Sequence, residues 1–166
     1  MPNATSPTLS STEAAIKIEL QAVLTSNVSV YEYLRWGIED KDVYDRYIDS
    51  SDRFHFYQFS RTSTEEFEDP ARRRFFAIHE WTIHGYFVIN DANNTHKTLQ
   101  LEVENIKKRF RFNKNIFGIP ERMEKSERTI TMVKIDSVIF DEVLCWHAEF
   151  TLRTEAVAVE EGDGTP

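Results

Sequence analysis

Cysteine occurs once in this chain, at Cys145, so no disulfide can close within it and a scaffold held together by cystines is excluded. A lone cysteine is the usage expected of a protein that folds in a reducing compartment. Glycine is scarce as well: there are five, of which Gly162 and Gly164 stand near the C-terminal end. Neither a GxGxxG nor a GxxxxGK[ST] pattern occurs, which removes the loops that cradle nucleotide phosphates. Long apolar runs are missing too, none approaching the roughly 18 residues needed to cross a bilayer. The opening residues, Met1-Pro2-Asn3-Ala4-Thr5-Ser6-Pro7, have neither the cationic start nor the apolar stretch of a signal peptide. The expectation is a soluble intracellular protein with no membrane partner. Positive charge is also in deficit, 20 Lys and Arg against 28 Asp and Glu for a net charge of −8. Proteins that hold nucleic-acid backbones gain affinity by presenting cations to phosphates, so only a local basic patch is left open.

What the chain does have is material for a core. Hydrophobic residues make up 40% and aromatics 13%, including twelve Phe. A chain of 166 residues can bury about 70% of the surface that its unfolded form exposes, without staples. No repeat or low-complexity block interrupts it, so a single domain over residues 10–156 is expected. Residues 1–9 are rich in Ser, Thr, Pro and Asn, and residues 157–166 are acidic. Both segments lack the apolar surface to order themselves and are expected to be flexible.

Periodicity supplies the elements. Ser10 and Glu13 have the spacing of a capping box, and Ile16, Leu20, Val23 and Leu24 then share one helical face, which predicts a helix from Ser10 to about Ser26-Asn27. Residues 28–36 are aromatic and close at Gly37, and residues 38–48 read as a short helix or irregular. Phe54, Phe56, Tyr57 and Phe59 suit a strand over residues 53–61, followed by a loop around residues 65–70. The longest β pattern covers residues 73–89. There Phe75, Ala77, His79, Trp81, Ile83, Gly85, Phe87 and Ile89 alternate onto one face, with Arg74, Glu80, Thr82 and His84 on the other. A strand of that length is expected to project beyond its sheet or to bend at Gly85. Asn90-Asp91-Ala92-Asn93-Asn94 then supplies turn formers and a cap for a helix carrying Leu99, Val103, Ile106 and Phe110. Two further strands follow, over residues 128–140 and 143–154. The fold class is α+β in the order α-β-β-α-β-β. An antiparallel or mixed sheet has its helices on one face, and the other face is free for water or a neighbour.

Chemistry is harder to place. The histidines are His55, His79, His84, His96 and His147. His79 and His84 are five apart, which puts them on opposite faces of a strand, and no HExxH sequence exists. Cys145 and His147 share a face, yet a cysteine in the middle of a strand is better read as a small hydrophobe than as a nucleophile. Carboxylate pairs such as Glu65-Glu66 and Glu102/Glu104 fall in charged segments that read as solvated, with nothing to raise a pKa. No catalytic residue, cofactor or metal ligand is therefore assigned. The run Lys107-Lys108-Arg109-Phe110-Arg111-Phe112-Asn113-Lys114 interleaves cations with rings that could stack on bases. It also lies at the C-terminal end of a predicted helix, where cations complement the dipole and Phe110 continues the buried stripe, and that reading is preferred. A second basic cluster, Arg72-Arg73-Arg74, opens the long strand and can protect an edge or meet an acidic neighbour.

Taken together, an N-terminal helix, a strand, then Glu80-Trp81-Thr82-Ile83-His84-Gly85-Tyr86-Phe87-Val88 form a recognisable texture. It runs straight into Asn90-Asp91-Ala92 and a helix with Leu99, Val103, Glu104 and Ile106, and is followed by the late segment Cys145-Trp146-His147-Ala148-Glu149-Phe150. Over roughly residues 13–154 the chain resembles the tail terminator or tail-completion proteins of long-tailed phages and prophages. The resemblance implies a hexameric ring of identical subunits at the head-tail junction of a virion, assembled in the host cytoplasm. Such a ring caps the tail-tube protein, ends tube polymerisation and offers a surface to head-completion or connector proteins, while DNA passes through its lumen without specific binding. No reaction is implied, and no contact position transfers by name. From the residues themselves, Tyr31, Tyr33, Trp36, Arg72, Arg73, Arg74, His84 and Tyr86 are the candidates for assembly contacts. Another head-tail connector subunit, or a small nucleic-acid-binding or regulatory protein using residues 107–114, are the alternatives.

Overall fold

A computed structural model describes residues 9–32, 47–48, 53–69, 74–112, 130–140 and 142–157. The first helix, α1 (Leu9–Val23), places Ile16 and Leu20 at full burial and leaves Ile18 outward. It starts one residue before the expected Ser10 and stops three residues before Ser26. A three-residue strand, β1 (Ser29–Tyr31), comes next, then β2 (His55–Asp69) and β3 (Arg74–Val88), each of 15 residues. A 3-10 turn (Asp91–Asn93) leads into α2 (Thr95–Phe112), and β4 (Thr131–Phe140) and β5 (Val143–Val157) complete the order.

The five strands form one mixed sheet in the spatial order β1-β2-β3-β5-β4. Only β1 runs parallel to its neighbour, β2; the remaining pairs are antiparallel. The α+β class and the mixed sheet agree with the sequence expectation, with β1 as an added short strand. One correction concerns residues 65–69, expected as loop. They continue β2, paired from Glu65↔Ile78 to Asp69↔Arg74, because the β3 backbone offers them a ladder although all but Phe67 are acidic.

Alternation divides the sheet into two unlike faces. On one, Tyr57, Phe59, Trp81, Ile83, Phe87, Ala148, Phe150 and Leu152 meet Ile16 and Leu20 of α1 and Leu99, Val103, Ile106 and Phe110 of α2. Both helices cover this face, as expected. Inside it, the Trp81 indole donates to Thr154 Oγ1 at 2.8 Å, so the largest buried side chain keeps its polar atom paired. On the other face the expectation of a surface free to meet water holds only in part. Phe54, Phe56, Tyr86, Phe140 and Cys145 pack there with Tyr47 into a second apolar cluster, the Tyr47 and Phe56 rings lying 4.1 Å apart and nearly parallel.

β3 does not end or break at Gly85, which pairs with Tyr57 on one side and Ala148 on the other. The glycine serves a packing need instead. A Cβ at this position would come within 2.7 Å of Tyr57 Cζ, so the phenol ring lies across space that only glycine leaves open. The irregularity falls in β2, where the register shifts between Arg61 and Ser63. The junction from β3 to α2 is closed by Thr95, whose hydroxyl accepts from the Asn90 amide at 3.0 Å and donates to the Asn90 carbonyl at 3.4 Å. Asn94, at φ 50°, takes the left-handed turn that Asn tolerates.

Candidate functional site

Two polar groups stand out, one on each face of the sheet. The first is buried. Glu102 of α2 reaches the sheet and accepts from the Tyr57 hydroxyl at 3.0 Å, while its Oε2 lies 2.9 Å from His55 Nε2. The His55 ring lies flat on Phe87, with centroids 3.8 Å apart and planes within 3°. Burial, and then the Glu102 carboxylate, push the Tyr57 phenol well above its ordinary pKa. This group works as a tie between helix and hairpin. It also corrects the reading of Glu102 as solvated, for the residue is 7% exposed. The signal was available: Glu102 lies three after Leu99 and four before Ile106, on the apolar stripe itself.

The second group lies on the opposite face, built from three adjacent strands. Register places His84 of β3 directly opposite Glu149 of β5, and His147 of β5 between Tyr86 of β3 and Asp136 of β4. Directly opposed residues of an antiparallel pair share a face, so all of these side chains converge. His84 Nδ1 is 3.0 Å from His147 Nε2, His147 Nδ1 is 3.1 Å from Asp136 Oδ1, and Lys134 Nζ is 2.6 Å from Asp136 Oδ2. Glu149 Oε2 stands 3.8 Å from His84 Nδ1. Because an ionised carboxylate only accepts, the Asp136 contact puts a proton on His147 Nδ1 and leaves Nε2 as the acceptor for His84 Nδ1–H. The donors run from His84 to His147 to Asp136, and Lys134 donates to the same carboxylate from its other side. Burial holds the His84 imidazole below its ordinary value, with His147 adding to the fall and Glu149 opposing it. The hydrogen bond from Lys134 is the main cause that lowers Asp136.

This site escaped the sequence because its histidines lie 63 residues apart. Only the β3-β5 register joins them, and local spacing rules test neighbours along the chain. Cys145 and His147 do share a face, as expected, but burial pushes the Cys145 thiol up to about 12 and its Sγ contacts the Val143 carbonyl at 3.5 Å. It is a packing residue rather than a nucleophile.

The other sequence candidates are placed as follows. Tyr31 is half-buried, its ring edge-on to Tyr47 at 5.1 Å and to Phe56 at 6.0 Å. Tyr86 is 8% exposed because Phe56, Phe140 and His147 pack on it, and burial raises its phenol to about 12. Neither ring is a freely exposed anchor. His84 remains half-exposed. Arg74 opens β3 opposite Asp69, whereas Tyr33, Trp36, Arg72 and Arg73 lie outside the described residues. In the basic run, Lys107 pairs with Glu104 at 2.9 Å, Arg109 pairs with Glu19 of α1, and Phe110 is buried. Of its cations, Lys107 is therefore paired within α2 and Arg109 joins α2 to α1. Among the described residues no helix is long and apolar enough to cross a membrane.

No family model matches this chain, and no curated protein matches it. Among solved structures it is similar to a chain of the virion of a native gene transfer agent particle, with a TM-score of 0.39 and 10% identity over 88% of this chain and 94% of that one.

Proposed function

We propose that the chain is a structural virion protein of a long-tailed phage or prophage, which caps the tail tube as a hexameric ring, ends tube polymerisation and presents a surface for joining the head. The observation that carries the proposal is the reach of the β2-β3 hairpin. Strands of 15 residues extend about 50 Å, whereas α1 and α2, packed side by side through Glu19 and Arg109, extend about 22 Å and about 27 Å. The outer half of β2 therefore reaches past the layer of helices, while β3 beside it stays paired to β5 from Phe76 to Val88. Residues 60–66 of β2 are exposed along it, in contrast to residues 54–59, which are all buried. An exposed outer strand of this kind gives a subunit a surface to lay on a neighbour. The motif that carries the resemblance also folds as one continuous unit, β3 through the 3-10 turn into α2.

In this reading the protein performs no reaction. The net charge of −8 suits a lumen through which DNA must slide, because a ring of cations would hold the phosphates by counterion release. The test is assembly. Light scattering after size exclusion, alone and with the tail-tube protein, is expected to give a six-subunit mass in at least one of the two conditions. Particles produced without the protein are expected to carry tails of uncontrolled length or tails unable to join heads. Normal tails joined to heads in its absence would sink the proposal.

A further inference from the structure

The cluster on the sheet face opposite the helices has the composition of a metal site. His84, His147 and Glu149 each offer a donor atom, and the three atoms lie within 4.8 Å of one another. Two imidazoles and one carboxylate form a borderline donor set, suited to zinc and its neighbours in the first transition row rather than to magnesium or calcium. The geometry is close to what such an ion needs. With metal-nitrogen bonds of about 2.0–2.1 Å, a tetrahedral ion holds its nitrogens about 3.3–3.4 Å apart. His84 Nδ1 and His147 Nε2 are already 3.0 Å apart, and their rings lie within 15° of parallel. An opening of a few tenths of an ångström admits the ion.

Three further features prepare the site. Asp136 Oδ1, at 3.1 Å from His147 Nδ1, holds that imidazole in the tautomer whose Nε2 lone pair faces His84, the arrangement in which a carboxylate stands behind a ligating histidine. The buried Tyr86 ring lies 4.8 Å from the His147 ring and restrains it from one side. The Glu149 side chain is 37% exposed, which leaves it free to swing onto an ion and leaves a route for the ion from solvent. Across the strand from His84, on the same face, stands Gln58, which is 7% exposed and whose Oε1 has no hydrogen-bond partner among the described residues. A buried acceptor without a donor on the same face is suited to a metal-held water.

We propose that His84 Nδ1, His147 Nε2 and a Glu149 oxygen bind one divalent ion of the zinc class, with Asp136 as a positioning residue and the fourth position left to water. The ion takes the place of the proton now shared between the imidazoles. His84 shifts that proton to Nε2, which turns the lone pairs of both facing nitrogens toward the ion. The carboxylates of Glu149 and Asp136, the latter paired with Lys134, supply charge that a dication balances.

The experiment uses the full chain, stripped with a chelator and then titrated with Zn²⁺ by calorimetry and with Co²⁺ by visible absorption. One ion per chain is expected, with the intense visible bands of four-coordinate cobalt. His84→Ala and Glu149→Gln alter half-exposed side chains and leave the fold intact, as circular dichroism checks. Each is expected to weaken Zn²⁺ binding at least 100-fold and to remove the cobalt bands. Asp136→Asn is expected to weaken binding 10–100-fold while keeping one ion per chain and four-coordinate cobalt, which a merely structural role would not produce. His96→Ala, which alters a half-buried ring against Trp146, is expected to change nothing. Binding that survives both His84→Ala and Glu149→Gln, or six-coordinate cobalt in the unaltered chain, overturns the proposal.

Discussion

Glu102 sits on the stripe of α2 that faces the sheet, where a charged residue costs stability unless its partners are built in. Tyr57 and His55 are those partners, and Gly85 makes room for the Tyr57 ring that reaches the carboxylate. Glu102→Ala leaves a phenol and an imidazole buried without a partner, at about 1–3 kcal/mol for each orphaned group. Glu102→Gln keeps an acceptor oxygen in place. Urea unfolding is expected to rank the midpoints wild type, then Gln, then Ala, with unchanged slopes; an Ala variant as stable as wild type would show that the carboxylate does not tie helix to sheet. His79 makes a pH prediction at the same scale. Its imidazole is buried, Nδ1 lies 2.9 Å from Thr64 Oγ1, and its pKa is lowered first by burial and then by Arg61, with Glu66 opposing. Below its ordinary value of about 6.5 the unfolded chain takes up a proton that the folded chain refuses until a lower pH. This group's contribution is therefore complete above about pH 7, and stability is lost as pH falls through that window, the loss levelling off below the folded pKa. Melting temperatures of His79→Gln and wild type between pH 5 and 8 are expected to diverge in slope, the variant being less pH-dependent.

At the scale of elements, what could be read in advance followed the buried faces. Leu99, Val103, Ile106 and Phe110 announce α2 by spacing alone, and all four are buried. Trp81, Ile83 and Phe87 do the same for β3 at period two. β2 was legible only in its first half, because Arg61, Thr62, Ser63, Thr64, Glu65 and Glu66 carry no apolar alternation and are exposed. Their strand form comes from the backbone ladder to β3, a partner that lies beyond residues 70–73 and leaves no mark on the local pattern. The His84 and His147 site was hidden for the same reason: its members meet through register. A difference in stability along one strand follows. Where β2 has buried side chains, residues 55–59, its amides are expected to exchange with solvent only through global unfolding; over residues 63–68 sub-global opening of the hairpin suffices. Hydrogen exchange of the isolated chain checks this. Equal protection along all of β2 would mean that the outer half is covered, and under the proposed function addition of the tail-tube protein is expected to bring about that equality.

For the whole molecule the two edges of the sheet are unlike. On one side β1 covers only Phe56–Gln58, so β2 from residue 59 onward is an edge, polar and exposed over residues 60–66, while on the other side β4 presents ten residues and has no strand beyond it among the described residues. Ile139 of β4 and Leu144 of β5 are directly paired in register at the closed end of that hairpin, and they are 74% and 51% exposed. Two large apolar side chains side by side on an exposed corner are an unusual expense for a chain with eight excess negative charges, unless something covers them. In a ring the contacts are heterologous, so an edge on one subunit meets a different surface on the next. β4 with its Ile139-Leu144 corner is the edge with both backbone groups and apolar area to offer, and the exposed outer half of the β2-β3 hairpin is the surface it would meet. Ile139→Lys tests this without disturbing the core, since a side chain so exposed is expected to change the subunit's own stability by no more than about 0.5 kcal/mol. If the proposed ring forms, light scattering in the presence of the tail-tube protein is expected to show subunits for the variant and rings for wild type, with an unchanged melting curve for the isolated subunit. Rings of full mass formed by the variant would move the contact away from β4 and leave the hairpin to close the ring with another surface.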